Sequence, residues 1–579
     1  MFTMELSRKQ QVEFYKREIE AILQEYEIYL KTGCNDLLEA GELFVGKYEF
    51  VDRNRGNIVF SFNKNNIPSI KIPYTALSMK NEFSSPERWN NLSYSNLRPK
   101  ARKSSDSLPI YYYEKTNNNS IMIGFHEIDI EFESYLNKGQ NVIFGKKDPP
   151  INYLKNLIEI TNRLSPESKA GNILDFNYQK IKFKPELRED SDEFTNYYKN
   201  ELIEKDITII QGPPGTGKTT LIANICKHLL DNDNSVLCTT MANVSLLELA
   251  SKEILIGKLI NGQIKKTNLN YTEKKALPKL LISKEIKSEK GVLLLTTYYK
   301  MSQEAVKLPN NPIFDYIIIE EASQTFLGTI AACRLLARKL IIVGDPKQLP
   351  PVINQRNPEL ISRDIVILTK SLEFYASNTT CPKFRLTSTY RLMNRAAKQT
   401  GIFYENTLVS KSTIDSKNNI FNHIPSDFNI KGGTSIKYLD LLNNKAYLQY
   451  IQDIIKKLLS INKIIEQELS INKEDYKIAI LSPYRDSVKN LRNTIYPKFT
   501  KYVQNIEINT IDSIQGMTTH FTILFIPYRN ESFSFNLNRF NVATSRSMLC
   551  TLIVTDETYK QFNPAKDFVA KYLDSINNI

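Results

Sequence analysis

Gln211-Gly-Pro-Pro-Gly-Thr-Gly-Lys-Thr-Thr220 stands between the apolar run Ile207–Ile210 and the segment Leu221–Ile225. The run reads as a buried strand and the segment as the first turns of a helix. Strand, glycine loop and helix together make the G-x-x-x-x-G-K-[ST] pattern a phosphate site rather than a chance string. Gly212, Gly215 and Gly217 let the backbone curl so that its N–H groups face one point. The helix N-terminus adds partial positive charge there. The whole loop is the candidate nucleotide cradle: Gly212, Pro213, Pro214, Gly215, Thr216, Gly217, Lys218, Thr219 and Thr220. Lys218 is placed to reach the β- and γ-phosphates, and the Thr219 hydroxyl to ligand Mg²⁺. A nucleoside triphosphate with Mg²⁺ is therefore the expected ligand.

Two further stretches supply what phosphoryl transfer to water needs. Tyr316-Ile-Ile-Ile-Glu-Glu-Ala-Ser-Gln324 is a strand ending in paired carboxylates, with Glu320 expected on the metal and Glu321 orienting the water. Elsewhere such a pair would be an ordinary solvated strand end. Gly344-Asp-Pro-Lys-Gln-Leu-Pro-Pro351 follows the apolar run Leu340–Val343. Gln348 is placed to sense the γ-phosphate, and Pro350 and Pro351 give stiff edges against a nucleic-acid base.

The 579 residues suggest several domains. Hydrophobic content of 41% and charged content of 24% fit a soluble globular protein. No apolar run is long enough to span a membrane. Met1–Gln10 has no apolar signal core, so export is not expected. The net charge of +13 points to a polyanionic partner, nucleic acid first, or to a merely lysine-rich surface. None of the six cysteines forms a C-x-x-C pair, and no histidine stands in metal-ligand spacing with one. A zinc module or iron–sulfur cluster is disfavoured, and reduced thiols in a cytoplasm fit.

Tyr15, Ile19, Ile22, Leu23, Tyr26 and Leu30 follow a helical rhythm, with Gly33 as a stop. Short β-rich runs follow at Leu43–Val51, Ile58–Phe62, Ile70–Ile72, Ile121–Phe125 and Val142–Phe144, the first pair punctuated by Asn54–Asn57. They suggest a small β-barrel or sandwich. The basic stretch Leu97–Ser104 reads as a loop, either solvated or touching phosphates. Ile151–Leu164 reads as a second helix, so two helices would bracket the β unit as a stalk. From about Glu186 strands and helices alternate, the α/β signature. Lysine-rich helical sequence is expected over Leu255–Lys290. A second α/β set runs from about Asn378, with a polar loop at Lys411–Lys431, strands at Tyr476–Leu481, Ile506–Ile511, Thr522–Pro527 and Leu549–Val554, and a closing helix at Ala565–Ile576.

These motifs, in order, resemble superfamily 1B helicases, the branch containing the nonsense-mediated-decay RNA helicase. The match runs through Gly212–Thr219, Val236–Asn243, Glu320–Gln324, Gly344–Pro351, Leu386-Thr-Ser-Thr-Tyr-Arg-Leu-Met393, Thr510-Ile-Asp-Ser-Ile-Gln-Gly516 and Asn541-Val-Ala-Thr-Ser-Arg546, covering about Ile207 to Val554. The resemblance implies an α/β fold with two tandem RecA-like domains, residues 165–377 and 378–579, behind an N-terminal β-barrel on a helical stalk at residues 1–164. It implies ATP and Mg²⁺ as cofactors, and a nucleic-acid-dependent ATPase moving 5′ to 3′ on single-stranded DNA or RNA. Arg391 and Arg546 resemble arginine fingers. Tyr390 resembles the residue stacking on the nucleotide base, or is a core tyrosine. Gln515 and Gly516 resemble the segment coupling nucleotide to strand grip. Asn243, Thr297, Pro350, Tyr484, Arg485, Thr510 and Asp512 fall where the family contacts nucleic acid, although such residues near strand ends also serve as turn formers.

The chain departs from the family in three places. Glu320 stands where the family has Asp, Glu186–Lys205 lacks the Gln that reads adenine, and Met517–His520 is neutral where the family is acidic. These departures motivate an alternative, an ATP-gated switch that clamps nucleic acid or a protein without unwinding.

Overall fold

The structure is a computed structural model and describes residues 4–5, 7–53, 57–63, 66–68, 74–79, 85–103, 110–116, 120–125, 130–175, 177–178, 184–269, 271–355, 367–414, 419–428, 432–441, 446–514, 516–561 and 568–578. The expected strand Ile70–Ile72, the turn at residues 54–56 and Gln515 lie outside these residues.

Ile207–Gln211 and Val236–Thr240 are buried along their whole length. Strands covered on both faces read as unbroken apolar runs and pair in parallel under helices. Nine strands form the first sheet, in the order Glu186–Arg188, Lys383–Leu386, Ile207–Gln211, Ala337–Gly344, Phe314–Ile319, Val236–Thr240, Leu293–Thr297, Ile264–Lys266 and Leu281–Ile282. Every pairing is parallel. The register sets Gln211 beside Gly344 and Arg385, and Thr240 beside Thr297. The loops after these strands therefore leave the sheet along one edge, where ligands of open α/β sheets bind.

Lys383–Leu386 sits against the P-loop strand, so the expected division after residue 377 falls inside this first lobe. A strand's partner far away in sequence leaves no mark on local composition. The 255–290 stretch also differs from its helical expectation. It holds two short helices, Ile256–Ile260 and Tyr271–Ala276, and two strands that extend the sheet edge. Ile264 and Lys266 point inward, and the Lys266 ammonium is buried on Glu273 at 3.0 Å. Lysine counts as surface in a sequence reading, which hides this period-two pattern.

The second lobe is a parallel five-stranded sheet in the order Gly433–Leu439, Ser547–Asp556, Thr519–Ile526, Ile478–Ser482 and Ile506–Thr510. Its four expected strands are present. Gly433–Leu439 is an additional edge strand, mostly half-exposed and so without an apolar run. The polar stretch 411–431 contains the short helix Ile420–His423, anchored by buried Ile420, Phe421 and Ile424.

The β-rich N-terminal region forms a seven-stranded antiparallel sheet in the order Ala101–Lys103, Tyr74–Met79, Asn141–Lys146, Phe44–Asp52, Asn57–Asn63, Ser120–Phe125 and Ile110–Thr116. Its two outer strands do not pair with each other among the described residues, so the expected barrel is seen as an open sheet. Phe44, Phe60, Phe62, Phe125 and Phe144 fill its core, with Phe125 stacked on Phe144 at 4.4 Å. The basic stretch expected as a loop instead forms a helical turn, Arg98–Lys100, and the strand Ala101–Lys103. Arg98 and Lys103 both pair with Asp148, at 2.8 and 2.7 Å. Burial pushes that carboxyl up, but hydrogen bonds from Arg98, Lys103 and Tyr26 outweigh it and hold Asp148 well below the usual carboxylate range.

The helices Arg8–Lys31 and Asn152–Arg163 pack together on the first lobe. Tyr15, Leu154 and Leu157 meet Phe326, Leu327 and Ile330. The buried stripe on the first helix includes Gln11, Phe14, Tyr15, Glu18 and Tyr29, while Leu23 is 41% exposed. A stripe spaced by threes and fours leaves Leu23 one residue off the contact line. Among the described residues no helix is long and apolar enough to cross a membrane.

One contact of this helix bears on the motif loops. The buried Glu18 carboxylate accepts from the Asn354 backbone N–H and Nδ2, both at 2.7 Å, and from the Gln355 N–H at 3.2 Å. It thereby holds the segment that follows Pro350 and Pro351. Glu18→Ala is expected to cost about 2–4 kcal/mol of stability, because buried donors lose an ionic acceptor. Urea unfolding of the purified protein checks this; an unchanged midpoint would show that water replaces the carboxylate.

Candidate nucleotide site and nucleic-acid face

The P-loop turns from the strand Ile207–Gln211 into the helix Lys218–Asp231. Gly215 and Gly217 hold φ at +74° and +77°, a region that favours glycine. A Cβ on Gly212 would lie 2.2 Å from Lys218 Cγ, so the lysine stem crosses the loop only because that position is bare. Lys218 Nζ donates to the Gly212 carbonyl at 2.9 Å, and the Thr216 hydroxyl to the Pro213 carbonyl at 2.9 Å. The segment Thr389–Arg391 backs the loop. The Thr389 hydroxyl donates to the Pro214 carbonyl at 2.9 Å, and the Tyr390 N–H to the Gly215 carbonyl at 2.8 Å.

Glu320 follows the strand Phe314–Ile319. The Thr219 hydroxyl donates to Glu320 Oε1 at 2.9 Å, and the Tyr298 hydroxyl donates to the Glu320 carbonyl at 2.5 Å. Glu320 Oε2 is buried with no hydrogen-bond partner. A hydroxyl and an unmatched carboxylate oxygen are the hard donors Mg²⁺ takes, so the pair fits that ion. Among the described residues no group of three His, Cys, Asp or Glu side chains could hold a metal. Phosphate and water oxygens would complete the shell, the usual arrangement for Mg²⁺. Glu321 adopts φ of +51°, unusual for a residue with a side chain, and lines the same cleft.

Burial, and next the neighbouring Glu321 charge, push the Glu320 carboxyl up to about 8. The ordinary value is 4.5. Between these values the folded protein binds a proton at this site that the unfolded chain has released. Stability of the nucleotide-free protein is thus expected to fall as pH rises from about 4.5 to about 8 through this group. Denaturant midpoints at the two ends of this window check it. Glu320→Gln should flatten the slope, and an equal slope in both proteins would contradict the assignment.

Gln348 is buried and donates through Nε2 to Asp345 Oδ2 at 3.0 Å. Arg391 and Arg546 come from opposite ends of the second half of the chain and meet at the cleft. Arg391 Nη1 donates to the Ser545 carbonyl at 3.3 Å. Arg546 Nε donates to the Val542 carbonyl at 2.9 Å. Burial and the nearby Arg546 charge pull the Arg391 guanidinium down to about 9, and burial also lowers Arg546. The Glu321 charge opposes the shift at both arginines, and Glu248 opposes it at Arg391.

The resulting cleft, about 320 Å³, is lined from the first lobe by Pro214–Thr220, Glu320, Glu321 and Gln348, and from the second by Gly516, Thr518, Arg546 and Met548. Gly212 and Pro213 lie just behind the lining. Tyr390 stands at the cleft rim, 46% exposed, with its hydroxyl 3.4 Å from Asp190, so it is not a core tyrosine. Ser245, Glu248 and Lys252 also reach the cleft from the helix Asn243–Ala250 and its end. No sequence motif marked them.

The seven expected nucleic-acid positions separate into groups. Asn243 opens its helix exposed, and Thr297 ends the neighbouring strand. Pro350 is half-exposed beyond buried Leu349. Arg485 and Thr510 line one groove of about 840 Å³ between the second lobe and the N-terminal region, together with Tyr74, Lys146 and Lys489. Arg485, Tyr74 and Lys146 also line an adjoining groove of about 590 Å³ that reaches Tyr299 and Asn354 of the first lobe. Tyr484 and Asp512 line neither groove. The Tyr484 hydroxyl is engaged by Ser534 Oγ at 2.9 Å, and Asp512 by Arg539 at 3.1 Å.

Two families described as AAA domains match the chain, one over residues 198–354 and the other over residues 368–558. The chain is 27% identical to the DNA replication ATP-dependent helicase/nuclease DNA2 of Gallus gallus, over 60% of this chain and 34% of that protein. It is 25% identical to the DNA polymerase alpha-associated DNA helicase A of Saccharomyces cerevisiae, over 60% and 62%. An uncharacterized ATP-dependent helicase of Methanocaldococcus jannaschii is 25% identical, over 51% and 43%. The chain thus spans between about a third and three-fifths of the length of these relatives.

Proposed function

We propose that this chain, a member of the superfamily 1B helicases, hydrolyses ATP to move 5′ to 3′ along single-stranded nucleic acid. One observation carries the reading: Lys218, Thr219, Glu320, Glu321, Gln348, Arg391 and Arg546 all line or abut one cleft between two parallel-sheet lobes. The loop N–H groups and Lys218 hold the β- and γ-phosphates. Thr219 and Glu320 would hold Mg²⁺, which when bound would neutralise charge on the transferring phosphoryl group. Glu321 orients the attacking water, Gln348 senses the γ-phosphate, and Arg391 and Arg546 neutralise charge developing between the lobes. Tyr390 at the rim stacks on the base, and Gly516 links the cleft to the strand path. Nucleotide that satisfies both guanidiniums draws the lobes together, and its hydrolysis lets them part.

The strand path is the run of grooves holding Arg485 and Thr510, with Asn243, Thr297, Pro350, Tyr484 and Asp512 along the strand ends beside it. The open antiparallel sheet and its two helices serve as the family's accessory barrel and stalk. Six free cysteines suit a reducing cytoplasm. Two of the relatives are named as DNA enzymes, which makes single-stranded DNA the first track to try.

ATP hydrolysis by the purified chain, alone and with single-stranded DNA or RNA, tests the proposal, with Glu321→Gln as control. Strong stimulation by one nucleic acid, lost in the control, identifies a motor and its track, and a strand-displacement assay then separates unwinding from translocation. A second reading, an ATP-gated clamp, draws on the longer Glu320 carboxylate and the neutral Met517–His520 segment. Tight nucleotide binding with no stimulated turnover would establish it instead.

A further inference from the structure

Asp345 is fully buried and its carboxylate accepts four hydrogen bonds. Gln211 Nε2 and the Lys347 N–H donate to Oδ1 at 3.0 and 3.1 Å. Gln348 Nε2 and the Tyr404 hydroxyl donate to Oδ2 at 3.0 and 2.5 Å. Three of these donors belong to the first lobe, from the P-loop strand and the Gln348 turn. The fourth belongs to the second. Tyr404 is fully buried in the core of the second lobe, against Phe540, Leu481 and Ile553. Its hydroxyl also accepts from Asn541 Nδ2 at 2.8 Å. Burial pushes its phenol up, so the hydroxyl keeps the proton it donates.

Asn541 lies on the helix Leu537–Thr544, which leads directly into Arg546. Two side chains of the same helix grip the Gln348 turn through three further hydrogen bonds. Asn541 Nδ2 donates to the Lys347 carbonyl at 2.8 Å, and Asn538 Nδ2 donates to the Pro346 and Gln348 carbonyls. Leu349 inserts beside them into the second lobe's core. The phenolic oxygen is thus, among the described residues, the atom bonded both to the Asp345 carboxylate of the first lobe and to the helix that delivers Arg546.

We propose that Tyr404 is a positioning residue whose hydroxyl latches Asp345 to Asn541, so that Gln348 and Arg546 move as one unit when the lobes close on nucleotide. This rests on the ATPase reading of the cleft. Buried polar networks have few alternative arrangements, which is what a two-position latch requires; here every Asp345 oxygen is matched, and Asn541 Oδ1 has no partner. Tyr404 itself touches neither cleft nor nucleotide-binding loop, so its removal should alter closure and rate rather than affinity.

Tyr404→Phe keeps the ring and its packing while deleting the bridging oxygen. Nucleic-acid-stimulated kcat is expected to fall about tenfold to a hundredfold with KM for ATP little changed, as for misplaced catalytic groups. The effects of Tyr404→Phe and Asn541→Ala should be strongly non-additive, because both cut the same bridge. Interlobe distance, read from a fluorophore pair on the two lobes with a non-hydrolysable ATP analogue, should show incomplete closure in Tyr404→Phe. Wild-type kcat and full closure in a folded Tyr404→Phe protein would overturn the latch, as would loss of nucleotide affinity in proportion to rate. Should the wild type show no stimulated turnover, the motor reading fails by itself, and the distance measurement alone then decides the latch.

Discussion

Arg546→Ala is expected to lower ATP turnover ~10³–10⁵-fold while nucleotide still binds. The second lobe delivers this guanidinium into the cleft opposite the P-loop, with Arg391 beside it. Burial lowers both arginines, and the Arg546 charge adds to this at Arg391, while Glu321 opposes the shift at each. Charge on the transferring phosphoryl group is greatest in the transition state, so the guanidinium acts there more than in the ground state. The side chain also ties the preceding helix to the segment before the strand Thr519–Ile526: Nε donates to the Val542 carbonyl and Nη1 to the Met517 carbonyl. Alanine removes those ties as well as the charge. Arg546→Lys keeps a cation but loses the planar fork, and should recover only part of the rate. Single-turnover kinetics and a direct nucleotide-binding titration check the result. A large loss of affinity with a normal maximal rate would contradict the finger role.

Lys218→Ala should abolish measurable triphosphate turnover, a loss of at least ~10³-fold. In the structure the ammonium rests on the Gly212 carbonyl, folded across the loop by the bare Gly212 Cα. It is therefore held over the place where loop N–H groups converge. Without it the β- and γ-phosphates lose a cation that the arginines do not replace, since Arg546 comes from the second lobe and Arg391 from the segment that backs the loop at Gly215. Unlike Arg546→Ala, this change should also weaken triphosphate binding, because the lysine contacts the ground state. Turnover assays with titration of ATP separate the two effects. Unchanged turnover would remove the cleft as the site of hydrolysis.

The two variants differ in stability for a reason visible in the fold. Lys218 is half-buried at a helix start, and its loss leaves a single carbonyl facing the cleft. Arg546 is almost fully buried between strands and helix, so its truncation opens a larger void. Melting curves should accompany both kinetic comparisons, so that unfolding is not mistaken for loss of chemistry.

The parts whose physics is local are legible in the residues alone. A glycine loop between an apolar run and a helix, a strand ending in two glutamates, and Gln348 beyond a buried strand are all set by neighbours a few residues apart. Their strands are unbroken apolar runs because both faces are covered. The rest depends on partners far apart in the chain. Lys383–Leu386 belongs to the first sheet because Ile207–Gln211 accepts it, not because of its composition. Arg98 and Lys103, basic enough to suggest phosphate, both pair with Asp148. Asp512 and Tyr484, expected on the nucleic-acid path, are held by Arg539 and Ser534. Tyr404 carries no motif of its own, and the bridge from Asp345 to Asn541 exists only once the lobes are packed. Periodicity and spacing record what a residue's own segment needs, whereas charge pairing and buried hydrogen bonds are fixed by whatever the fold brings within about 3 Å.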